Sequence, residues 1–230
     1  GYFVSESPTY INWLIMRGML VDGKPNSPKE LFRNGVKVYP LKAINNQPKM
    51  EFINGSGKVF NTIHANTYPF YEELNEVVQR EPISLIDPEL RGLIASIGIE
   101  KGKEFSPDAR MKKILIEAVA VGNATARSIL FKGRDKNAYI YENSKTWRTA
   151  FIGGDYQWLR NKGVGGRNLD ARTLFFYFAT VNTPAMAWKL IGKGSQYGIA
   201  SSDVKGNYLY GANSYKLNIP ANVPAKDFWS

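Results

Sequence analysis

Cysteine is absent from this 230-residue chain. That gap removes thiolate nucleophiles, disulfide frameworks, zinc fingers and iron–sulfur sites, while fitting a reducing or an oxidising compartment equally well. Histidine is nearly absent too: His64 is the single one, so a site built from several imidazoles is excluded. No stretch is read as reaching the roughly 18 uncharged apolar residues of a membrane span. The longest candidate, residues 174–191, is broken by Asn182, Pro184 and Lys189, so the chain reads as soluble, with no transmembrane segment. An initiator methionine and a basic–apolar–small leader pattern are both missing, and Gly1 reads as an internal cut. The glycine run 163–166 lacks a following Lys-Ser/Thr, no G-x-S-x-G occurs, and no acidic or histidine cluster has metal-ligand spacing. No cofactor and no metal are expected.

What is present is apolar and basic. Hydrophobic residues make up 43% and aromatics 13% of the chain, enough to fill a core and far from the composition of a disordered segment. Thirty Lys and Arg against twenty Asp and Glu give +10, which raises nucleic acid as a partner. The cations are scattered, however, at Lys101, Lys103, Lys112, Lys113, Arg160, Lys162 and Arg167. The densest piece, 127–136, also suits the C-terminus of a helix. This distribution argues against nucleic acid.

Residues 1–62 read as strand-rich. Short apolar runs at 2–4 and 12–20, a strand at 36–39 stopped by Pro40, and alternation at 49–53 before the Asn54-Gly55 turn carry that reading; residues 28–34 suit a short helix. Residues 66–132 are helical by periodicity. Asp87-Pro88 opens one helix that Gly98 caps, and Ser106-Pro107 opens the longest. Beyond 133 the types mix: a buried helix at 169–181 capped by Asn168, then strands from 196, with 215–219 alternating. The aromatic ending Asp227-Phe228-Trp229-Ser230 reads as a second cut inside a strand.

Several ordered motifs resemble one bacterial family. They include GYFVSESPTYINWLIMRGMLVDG, NTIHAN with FYEELNEVVQREP, SIGIEKGKEFSPDARMKKIL, AVGNATARS, FIGGDYQWLRN, LDARTLFFYFA, GSQY, KGNYL and VPAKDFWS. The chain resembles the paired domain-of-unknown-function family, numbers 1254 and 1214, in its exported form. The resemblance implies an α+β multidomain fold. Residues 1–62 would be the C-terminal part of an N-terminal β-sandwich, 63–149 a helical middle domain, and 150–230 the N-terminal part of a jelly-roll-like β domain. It implies a periplasmic, cell-surface or secreted location and an internal piece of a longer parent chain, but brings no established reaction. Relatives carry an acidic residue after the HAN triplet where this chain has Thr67, which weakens a His–Asp pair there.

Seven residues stand out as ligand-binding candidates. His64 is the natural acid–base group, followed by Asn66 in the same motif; the alternative is a histidine that locks the junction by backbone hydrogen bonds. Trp13 and Arg17, four apart, would share one face of a strand and offer an aromatic and cationic platform; the alternative is an arginine bridging loops. Asp155, Tyr156 and Trp158 follow a glycine pair and combine a carboxylate with aromatic rings, as sugar sites do; the alternative is loop packing. No catalytic residue is assigned, and whether the protein is an enzyme stays open. Three functions follow: binding of a glycan, small molecule or other envelope ligand on an aromatic-lined surface between domains, a hydrolase at the domain junction, or a structural assembly protein. Remaining segments of the parent chain and a homo-oligomer are further expected partners.

Overall fold

The computed structural model describes residues 4–143, 146–179, 184–187, 196–219 and 221–222. The chain divides into two units. One comprises Gly1–Ile63 and Glu73–Ser106; the other comprises His64–Glu72 and Pro107–Ser230.

In the first unit, helix α1 (Asn26–Gly35) takes Pro28 into its first turn. The preceding segment passes so close that a Cβ on Gly18 would lie 2.4 Å from that of Pro28. Helix α2 (Pro69–Arg80) begins in the second unit and ends in the first, with Glu72 in its first turn and Arg80 in its last, as the helix dipole favours. Its C-terminal carbonyls are closed from a distance in sequence. Lys101 Nζ donates to the carbonyls of Val78, Gln79 and Glu81 at 3.3, 2.6 and 2.8 Å. The Gln79 amide donates to the Glu100 and Lys103 carbonyls and accepts the Gly102 N–H. Helix α3 (Pro88–Ala95) starts at Asp87, whose carboxylate accepts the Leu90 N–H at 2.9 Å. Beyond its end Gly98 turns left-handed (φ 91°). The N–H groups of Gly98 and Ile99 return to the carbonyls of Ala95 and Ile94. This paired closure throws Ile99 into the interior, where 1% of it is exposed.

The second unit is built on α4 (Ala109–Phe131) and α5 (Leu169–Ala179), which pack on each other. Tyr177 on α5 donates its hydroxyl to the Asn123 side chain on α4. The first N–H groups of α4 are met by Asp108, two residues after the expected start, because that carboxylate accepts the Met111 N–H at 2.7 Å. Asn168 caps α5 by accepting the Ala171 N–H. Around Phe175 gather Ala138, Ala150, Ile152, Trp158 and Ala171, forming the core. One helix, Ala109–Phe131, is long and apolar enough to cross a membrane, by length and composition only. Glu117 and Arg127 interrupt the uncharged run that the reading required.

The expected sandwich and jelly-roll are overturned. Among the described residues, regular sheet is confined to a two-residue antiparallel pair, β1 (Trp147–Arg148) with β2 (Ile199–Ala200); the structure is mainly helical. A strand needs a neighbour for its backbone groups, and the apolar run 12–20 forms no ladder with one among the described residues. Near 36–39, Val38 N–H meets the Met50 sulfur at 3.4 Å and not a ladder carbonyl. Alternation at 49–53 and 215–219 shows capacity to pair, not pairing. The runs at 2–3 and 227–230, and the end of the 169–181 helix, lie outside the described residues.

Candidate functional site

In the second unit the chain leaves the core at Trp158, turns through 160–166 and returns at Asn168. Three backbone bonds close this loop: Asn168 N–H to Trp158 O at 2.8 Å, Arg160 N–H to Gly166 O at 2.8 Å, and Gly165 N–H to Arg160 O at 3.0 Å. Its tip holds Asn161 and Lys162 left-handed, at φ 49° and 57°, and Trp158 at its base has φ 54°. Such backbone angles cost about 1–3 kcal/mol each and gather where a site holds its residues in place.

Below the loop lies a cleft of about 890 Å³. Its apolar wall is Ile152, Trp158 and Leu159; its polar wall carries cations from the loop and carboxylates from both sides. Most of those charges are already engaged. Arg134 pairs with Asp170 at 2.8 Å, and the hydrogen bond and charge of Asp170 raise the affinity of that guanidinium for its proton. Asp135 accepts from the Asn168 amide at 2.6 Å, and Arg167 donates to the Gln157 carbonyl at 2.8 Å. The side chains of Arg160 and Lys162 have no partner among the described residues. Asp155 accepts the Gln157 N–H with Oδ1 at 2.6 Å, leaving Oδ2 available. Trp158 is 7% exposed and packs on Phe175 at 5.3 Å, yet its buried indole N–H meets no acceptor. An orphaned donor of this kind carries a desolvation cost of about 1–3 kcal/mol.

No protein-family model matches the chain, and no curated protein matches it. The site therefore stands on its geometry. Of the seven candidates, Asp155 and Trp158 line the cleft. Tyr156, between them in sequence, is 37% exposed and is not among the cleft's lining residues.

His64 sits elsewhere in the same unit, its ring 4.8 Å from Phe176 and 4.7 Å, edge-on, from Tyr177. Its Nε2 is buried without a partner, and among the described residues no carboxylate pairs with it. Burial raises the proton affinity of the Tyr177 hydroxyl against the opposing charge of Arg127. Asn66 is exposed just before the turn that opens α2. Trp13 and Arg17 belong to the first unit, both exposed on a segment that is not a strand, so the shared strand face does not form. Sequence reasoning missed Arg160, Lys162 and the Asn123–Tyr177 pair. The first two immediately precede the glycine run, a signal that could have placed them on a loop. The pair had no sequence signal, because residues 54 apart meet only through helix packing.

Proposed function

We propose that this protein is an envelope binding module that holds a glycan in the cleft beneath the 158–168 loop. The observation that carries the reading is a cleft with an apolar wall that also presents the unpartnered Arg160 side chain and the free Oδ2 of Asp155. A sugar needs an apolar surface for its C–H face and both donors and acceptors for its hydroxyls. Ile152, Trp158 and Leu159 offer the first; Asp155 Oδ2 accepts, while Arg160 and Lys162 donate. The resemblance to exported bacterial proteins supports an envelope location. Binding is favoured over hydrolysis because His64 lies against aromatic rings and, among the described residues, pairs with no carboxylate. The two further carboxylates of the cleft, Asp135 and Asp170, are held by Asn168 and Arg134.

The test is retention on a panel of immobilised bacterial envelope polysaccharides. At least one should be bound saturably, and Asp155→Asn and Arg160→Ala should each weaken that binding by about tenfold, the effect of a hydrogen bond to a charged group. A panel without any retained polysaccharide, or two variants that bind like the parent, would overturn the reading.

A further inference from the structure

The first unit contains a second concavity, unrelated to the glycan cleft. The end of α2, the turn at Ile83–Leu85 and helix α3 enclose a groove of about 290 Å³. Val77, Ile86, Ile94 and Ile99 form an apolar floor and walls. The volume is many times the ~10–15 Å³ of such space that one water needs, so the groove has room for a hydrocarbon chain.

The charged groups around it are unequal. Glu81 is occupied by the Tyr10 N–H and Arg80, Glu100 by Lys103, and Lys101 by the three carbonyls at the end of α2. Arg91, in the middle of α3, is different. Its Nε is buried without a partner, and its guanidinium makes no ion pair among the described residues. Its terminal Nη groups, without an ion pair beside an apolar groove, match a carboxylate at the end of a hydrocarbon chain, because the head meets the guanidinium as the tail leaves water.

We propose that the groove between α2 and α3 binds a medium-chain amphiphile with a carboxylate head, anchored by Arg91. The experiment is calorimetric titration of the full chain with decanoate, and with decanol as the neutral analogue. Decanoate should bind saturably at one site, with decanol at least tenfold weaker. Arg91→Gln should lower decanoate affinity about ten- to hundredfold, the range of a charge-assisted hydrogen bond, and leave decanol unchanged. Because a substitution in α3 could disturb the helix, Ile94→Trp provides a second arm. It fills the groove and should abolish both ligands while circular dichroism shows the helix content retained. Equal affinity for decanoate and decanol, no saturable binding, or a folded Arg91→Gln variant that binds decanoate like the parent would overturn the proposal.

Discussion

Glu81 is the residue on which the first unit turns. Only 4% of it is exposed, and its carboxylate accepts the Tyr10 N–H at 2.6 Å and Arg80 Nε at 3.2 Å. Burial pushes its affinity for protons up, but the Tyr10, Arg80 and Ile11 donors outweigh this, and the net shift is downward from 4.5. The sign of the linkage follows. The stabilisation is complete above the unfolded value near 4.5 and is lost as pH falls through the lower folded value. Acid titration below about pH 4.5 should therefore release the 10–11 backbone, read as faster amide exchange at Tyr10, and Glu81→Gln should abolish that acid step. His64 allows a separate test. Its orphaned Nε2 between Phe176 and Tyr177 means that His64→Phe removes a buried polar atom while keeping a planar ring, somewhat larger, in its place. The melting temperature should hold or rise; a fall of several degrees would show that the ring nitrogens carry structure.

At the scale of elements, what was legible in the sequence is what is local. Asp87, Gly98 and Asn168 identify helix ends because a cap and its partner lie within five residues of each other. Gly98→Ala should cost about 1 kcal/mol in denaturant unfolding. A Cβ there meets nothing within 4 Å, so the loss is purely that of the left-handed angle. Lys162→Gly should do the reverse, stabilising by about 0.5–1 kcal/mol while removing a cleft cation. Strands were overread because pairing is not local: the alternation at 215–219 says which face could be covered, never by what. Helix α3 shows the same limit. Leu93 is 68% exposed, whereas Arg91, Ile94 and Ala95 face the groove. A charged side chain on an inner face leaves no periodic signature.

Taken as a whole, the molecule leaves much apolar surface open within each unit. Between residues 10 and 21, Tyr10, Ile11, Trp13, Leu14, Ile15, Met16, Met19, Leu20 and Val21 are all exposed, and Ile114, Ile116 and Val121 are exposed along α4. Faces of this kind associate. Light scattering should show self-association that persists at high salt, where the +10 charge is screened, and that mild detergent reverses; a strict monomer at all concentrations would refute it. The loop from Trp158 to Asn168 has a further consequence. Its base is closed by backbone bonds that depend on no particular side chain, while its tip alone presents Arg160, Asn161 and Lys162 to the cleft. Inheritance can therefore exchange the tip side chains, among residues that accept a left-handed backbone at 161 and 162, while the base bonds stay in place, so related lineages can diverge in what they recognise before they diverge in fold.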